Sequence, residues 1–203
     1  MAATSSSASV SLIRGADVVA SPWKNGGGVT REVAAHPAGA ALDAFVWRVS
    51  VADVGAAGPF SRFAGIDRTL VLLSGAGMLL EGDEGAHALR EPLDVARFKG
   101  ETAIDARLVD GPTRDFNLMV RRGAATGDVA IWRDEVRAQL DADVVLLFCA
   151  QGSLDVALAG DTKATLASND TLRIDNARAL RCEVEGTGAL LAVCIRYTEP
   201  PQA

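Results

Sequence analysis

Along most of the chain, apolar and polar residues alternate with a period of two rather than 3.6. In residues 45–51, Phe45, Trp47, Val49 and Val51 fall on one face, and Arg48 and Ser50 fall on the other. In residues 115–121, Phe116, Leu118 and Val120 share a face, opposite Asp115, Asn117 and Arg121. Such alternation is the pattern of half-buried strands. Further apolar or β-branched runs predict strands over residues 29–33, 68–73, 78–81, 144–150, 153–158 and 190–197. Turn residues separate them: Ser74-Gly75-Ala76-Gly77, Glu81-Gly82-Asp83, Ala159-Gly160-Asp161 and Gly186-Thr187-Gly188. Many short strands between such turns make a sandwich or a barrel. Only residues 134–140 (DEVRAQL) read as helical, and they are assigned as a connection between two halves.

The halves emerge when the chain is laid over itself. Gly77 falls over Gly152 at an offset of 75, and Asp94 over Asp170, Phe98 over Ile174 and Ile104 over Leu180 at 76. The shared order is strand, glycine turn, strand, polar turn, then an aspartate that opens another strand. A duplicated β-barrel would give this pattern, as would a chance likeness between apolar strands. The predicted organisation is a disordered tail over residues 1–9, a first half over 10–122 and a second over 123–203, packed as one compact unit. The expected fold class is all-β with little helix.

Composition narrows the function classes. The 203 residues carry a net charge of −6, and the sequence pI is near 4.9. That balance argues against binding nucleic acid by phosphate neutralisation. The start, MAATSSSASV, has neither the basic residues nor the apolar run of a secretory signal, and no stretch is long enough to span a bilayer. Cys149, Cys182 and Cys194 lie in apolar runs without CxxC spacing. This odd set fits buried thiols in a reducing compartment, and the expected location is cytoplasmic.

The segment most open to chemistry is Pro22-Trp23-Lys24-Asn25-Gly26-Gly27-Gly28-Val29-Thr30-Arg31-Glu32. Consecutive glycines permit positive φ and close approach of backbone, and their N–H groups can cup an anion. Lys24 is one of three lysines beside 17 arginines, which suggests a position that wants an ammonium. Asn25 offers a donor and an acceptor, and Trp23 a flat apolar wall. A tight turn or bulge leading into the next strand, with Trp23 in the core, explains the same residues equally well. The spacing matches neither a phosphate loop nor GxGxxG.

PWKNGGGVTREVA, followed by FVWRVSVADVGAAGPFSRFAGIDRTLVLLSG and later by DFNLMVRR, closely resembles the HutD/Ves family of cupin-like proteins. The dense matches run from about Leu12 to Arg122, with a looser continuation through LLFCAQGSLDV. The resemblance implies a bicupin of two jelly-roll halves, a bacterial origin and an association with histidine utilisation. It further implies a protein that tunes that pathway rather than catalysing a step, with an acidic intermediate such as urocanate or formylglutamate as ligand. It also favours Arg48, Arg68 and Asn117 as functional residues.

Metal chemistry is not expected, and no cofactor is. A catalytic cupin gathers two or three histidines and a glutamate in one barrel, whereas His36 and His87 lie 51 residues apart and outside any HxH pair. Both are expected at the surface. If Arg48 and Ser50, or Asp115, Asn117 and Arg121, point into a barrel, they form a polar pocket with guanidinium forks suited to carboxylates. If they point outward, they are a solvated sheet face. Pro59–Phe63 with Gly65-Ile66-Asp67-Arg68 reads either as a loop closing over a pocket or as Phe60 and Phe63 plugging a barrel end. The ligand-binding set is therefore Trp23, Lys24, Asn25, Gly26, Gly27, Thr30, Arg48, Ser61, Arg68 and Asn117, with the glycine turn facing the arginines across the ligand. The expected partner is a small acidic metabolite, with no nucleic acid and no membrane. A homodimer through exposed strand edges is compatible with the pattern. The competing reading is a metal-independent isomerase or hydrolase of a small carboxylic acid, with Lys24, Glu32 or Asp115 in acid–base roles. A third is a structural protein whose glycine turn only shapes the fold.

Overall fold

The computed structural model describes residues 8–83, 85–160 and 162–199. Residues 1–7 of the expected tail, and Asp161 of the expected turns, lie outside the described residues. Ser9, also placed in that tail, opens strand β1 (Ser9–Ile13). One 3-10 turn, Gly15–Asp17, is the only helical element among the described residues, and none of their helices is long and apolar enough to cross a membrane. The protein is all-β.

The chain divides into two compact units. Val18–Thr126 contains β2 (Ala20–Pro22), β3 (Gly28–His36), β4 (Trp47–Val54), β5 (Gly58–Pro59), β6 (Ile66–Ser74), β7 (Met78–Gly82), β8 (Gly85–Leu89), β9 (Val95–Lys99), β10 (Ile104–Leu108) and β11 (Thr113–Arg121). They form a six-stranded sheet in the order β2-β3-β4-β11-β6-β9 and a four-stranded sheet in the order β5-β10-β7-β8. Between the sheets lies an apolar core of Ala52, Val54, Leu70, Leu72, Met78, Leu80, Leu89, Ala96, Ile104 and Ala106. The alternation seen in the sequence fixes which residues enter it, because period two sends every second side chain to the same face. Trp47, Val49 and Val51, on the other face of β4, are buried as well.

The second unit comprises Gly127–Ala203 together with Met1–Asp17, so β1 belongs here and not with the first half, where residues 10–17 were expected. Strand β12 (Ala125–Arg133) pairs with β15, and β13 (Val136–Leu158), β14 (Thr162–Ala167) and β15 (Thr171–Tyr197) follow in chain order. Strands β13 and β15 are long and bent. Val145 pairs with Ile174 on one side and with Cys194 on the other, so the middle of β13 is flanked by two arms of β15.

Particular hydrogen bonds recur in both units. The Leu72 N–H donates to Asp94 O and Leu72 O accepts from Leu93 N–H; Cys149 makes the same pair of bonds with Asp170 and Asn169. Leu93 and Asn169 both have positive φ, 76° and 75°. The Asp94 carboxylate accepts from the backbone of Glu91, and the Asp170 carboxylate accepts from Ala167. Asp94 and Asp170 are a pair that the offset of 76 brings together, and Leu72 and Cys149 lie one residue off it.

Two expectations fail. Residues 134–140 are not helical; β13 begins at Val136, and Val136, Ala138, Leu140 and Ala142 alternate with exposed Arg137, Gln139 and Asp141. The run has a valid two-residue period, and its good helix formers masked it. Gly152 does not lie in a turn equivalent to that of Gly77 either. Gly77 sits between β6 and β7, whereas β13 continues through Gly152, which lies against Gly188 where the register shifts.

Candidate functional site

Directly opposed residues in antiparallel ladders project to the same side. Met119 is opposed by Arg48 on β4 and Arg68 on β6, and Arg68 is in turn opposed by Phe98 on β9. One level deeper run Glu32, Ser50, Asn117, Leu70 and Ala96, then Thr30, Ala52, Asp115 and Leu72. Leu70, Leu72 and Ala96 belong to the apolar core, so this face is the barrel interior. Arg48, Ser50, Asp115 and Asn117 thus point inward, the alternative that the sequence leaves open.

This interior is polar and incompletely bonded. Asp115 is 1% exposed, Ser50 3%, Arg68 6% and Asn117 7%. Among the described residues, Arg68 Nε, Asp115 Oδ2 and Asn117 Oδ1 are buried without a hydrogen-bond partner, as is the hydroxyl of Thr113 on the same face of β11. Buried polar atoms are bonded as a rule, because an unbonded one costs about 1–3 kcal/mol. Several on one interior face mark a place where the fold alone does not complete the bonding.

Arg68 is held by a backbone carbonyl and by aromatic rings. Its Nη1 donates to the Ser61 carbonyl at 3.3 Å, and its guanidinium carbon lies 5.4, 5.6 and 5.0 Å from the rings of Phe60, Phe63 and Phe98. Three aromatic faces offset part of the cost of burying the charge. Burial pushes the Arg68 pKa down to about 10, partly countered by Asp115 and reinforced by Arg48, so the group stays cationic at neutral pH. Burial pushes Asp115 up to about 7; Arg68 opposes the rise and Asp53 adds to it. Arg48 is already engaged, donating to Glu32 at 2.7 Å and to the Ser50 hydroxyl at 3.2 Å.

The 60–63 loop covers this cation. Phe60 N–H donates to Ile104 O at 2.8 Å and Phe63 N–H to Gly100 O at 2.7 Å, which ties down the loop while both rings turn toward Arg68. Phe60 also packs on the core, so the loop both covers the arginine and fills space.

The glycine turn is elsewhere. Trp23 N–H donates to Gly28 O and Gly26 N–H to Trp23 O, closing a hairpin between β2 and β3. The Asn25 side chain accepts from Gly27 N–H at 3.0 Å, and Lys24, Asn25 and Gly26 are exposed. Gly28 opposes Val54, six residues along β4 from Arg48, or about 20 Å of strand. The expected pocket with the turn on one wall and the arginines on the other is therefore corrected: strand register puts them at opposite ends. Trp23 and Thr30 are joined, the indole N–H donating to the Thr30 hydroxyl at 2.7 Å, and Trp23 packs on the core. Close packing explains Gly28, where a Cβ would meet Asp53 O at 2.4 Å.

Neither histidine is fully exposed. His36 stacks on Trp47 with ring centroids 6.3 Å apart. His87 opposes Leu80 in the interior and lies 6.3 Å from Phe98, which puts it beside the aromatic group around Arg68. Among the described residues, no three His, Cys, Asp or Glu side chains are grouped to hold a metal ion.

The corresponding interior of the second unit is apolar. Leu72 and Cys149 are equivalent by their shared backbone bonds, Leu72 opposes Asp115, and Cys149 opposes Leu190. The same steps place Asn117 with Ala192 and Arg68 with Val145, all within the second unit's apolar core.

The fold is that of the cupin-like barrels. Ylba from Escherichia coli, 10% identical, shares it with a TM-score of 0.70 over 92% of this chain and 90% of that one. Nearer comparisons give the family: residues 15–192 match HutD, and the chain belongs to the HutD family. An uncharacterised 21.2 kDa protein in the hutC 3′ region of Pseudomonas putida is 36% identical over 91% of this chain and 97% of its own length. The structure of HutD from Pseudomonas fluorescens SBW25, solved in a formate condition, is 34% identical, with a TM-score of 0.82 over 94% of this chain and all of that one.

Proposed function

We propose that the protein is a non-enzymatic, cytoplasmic binding protein that takes a small acidic metabolite into the interior of Val18–Thr126 and thereby tunes histidine utilisation. The observation that carries this reading is the buried set of unpartnered polar atoms on Arg68, Asp115 and Asn117. A bound acid would complete it: a carboxylate bonds to Arg68 Nε, and the aromatic rings exclude water and strengthen that bond. We read the two units as duplicated cupin-like barrels of which only the first binds, because the second carries Val145, Leu190 and Ala192 at the matching positions. The hutC neighbourhood of the Pseudomonas putida relative supports the pathway, and urocanate and formylglutamate are the acids it suggests. The test is a thermal-shift screen of urocanate, formylglutamate and glutamate at millimolar concentration. Stabilisation by at least one of the first two is expected, and no shift with any acid would defeat the reading.

One observation favours a second reading. A buried carboxylic acid with a pKa of about 7 suits general acid–base catalysis. If the protein were a metal-independent enzyme, incubation with the stabilising acid would yield a new product by chromatography; on the binding reading the acid is recovered unchanged.

A further inference from the structure

The second unit shows what this barrel interior does when it only has to be filled: it places leucine where the first unit places Asp115. A carboxylate there, buried and with an oxygen unbonded, costs stability that the positive charge of Arg68 offsets only in part. Its role is therefore sought in a ligand. Among the described residues the Arg68 guanidinium has the Ser61 carbonyl as its hydrogen-bond acceptor and an unbonded Nε, so a bound acid would take its positive charge and leave Asp115 as an acceptor deeper in the barrel. Asp115 lies two register steps below Arg68, past Asn117, whose Oδ1 is also unbonded. Those steps span about 13 Å of strand, shortened by the reach of the guanidinium, which calls for an elongated ligand with different groups at its two ends.

We propose that Asp115 contacts the ligand directly: with an acid group held at Arg68, Asp115 Oδ2 accepts an N–H from the ligand's other end, so the site selects acids that carry an N–H donor. This rests on the binding site proposed above and adds the chemical class of its ligand. The charged and titratable groups around the interior are Arg68 on β6, Arg48 and Asp53 on β4, Glu32 on β3 and His87 on β8. Asp53 faces away from the interior, since it alternates with Ala52 and Val54. Glu32 is taken by Arg48, which leaves Asp115 as the ionised acceptor deep in the barrel.

A matched pair of probes tests this. Urocanate ends in an imidazole N–H, and 3-(2-furyl)acrylate has nearly the same shape with no N–H. Calorimetric titration of the intact protein at pH 8 should give urocanate at least about tenfold tighter binding, the range of a hydrogen bond to a charged group. Asp115→Leu should bring the affinities of the two probes within about twofold of each other. Asp115→Asn, which keeps the side-chain volume, should narrow the ratio at least about threefold and serves if the leucine variant does not fold. Equal binding of both probes to the native protein, or a ratio unchanged in the variants, overturns the role of Asp115 and leaves the binding site standing. Binding of neither probe overturns both.

Discussion

Asp115 and Leu190 occupy matching places in the ladders of the two units: one opposes Leu72 and the other Cys149, residues that make the same backbone bonds to an aspartate turn. The exchange between them should be unequal. Asp115→Leu removes a buried carboxylate with an unbonded oxygen, so equilibrium urea unfolding at pH 8 should find equal or greater stability, by up to about 4 kcal/mol. Leu190→Asp puts a charge into a fully apolar core and should cost about 4 kcal/mol or more. A strongly destabilised Asp115→Leu would mean that the carboxylate has a structural partner.

The same carboxylate should make stability depend on pH. Its pKa in the fold, about 7, lies above the ordinary 3.8, so the folded state binds the proton more tightly than the unfolded chain does. Its favourable contribution is complete below about pH 4 and is lost as pH rises through 7. Asp115→Asn should therefore match the native protein near pH 4 and exceed it by a few kcal/mol at pH 8. Unfolding curves at the two pH values check this, and a constant difference would contradict it.

Much of the interior was legible in the residues. The parity of Arg48 and Ser50 against Trp47, and of Asp115 and Asn117 against Phe116, already grouped the side chains that meet inside the barrel. Parity cannot say which face is inside, because both faces of β4 and β11 are largely buried and neither reads as a solvated surface. Depth along the barrel was hidden too. Lys24 and Arg48 belong to two successive matched segments, yet ladder register, a non-local property, separates them. Phe98 stood out in the sequence only as a repeat position and His87 only as a surface histidine, because their place beside Arg68 arises from pairing with Arg68 and Leu80. The helix expected over residues 134–140 failed because local propensity yielded to a long tertiary ladder.

Glycines that look alike in the sequence should differ sharply on substitution. At Gly26, φ is +70° and a Cβ meets nothing within 4 Å, so Gly26→Ala should cost only the strain of the left-handed region, about 1–2 kcal/mol. At Gly152, φ is +80° and a Cβ would lie 2.1 Å from Thr187 O, backbone that cannot turn aside. Gly152→Ala should cost about 3 kcal/mol or more, or prevent folding. Thermal denaturation of the two variants side by side checks the order.

The sharpest division falls between two cations that the sequence placed in one site. Lys24 is exposed on a hairpin that its own backbone and Asn25 close, so the fold by itself accounts for that turn. Arg68 is buried among three aromatic rings with its Nε unbonded, so a bound carboxylate there would gain a charge-assisted hydrogen bond away from water. Such a bond contributes about 1.5–3 kcal/mol, or roughly tenfold to a hundredfold in affinity. Arg68→Met keeps an apolar stem against the rings and removes the charge; it should weaken acid binding by at least about tenfold while the protein stays folded. Lys24→Ala should leave the affinity within about twofold. Titration of both variants with urocanate decides the matter: if Lys24→Ala lost binding and Arg68→Met kept it, the ligand would sit at the glycine turn and the polar interior would need another explanation.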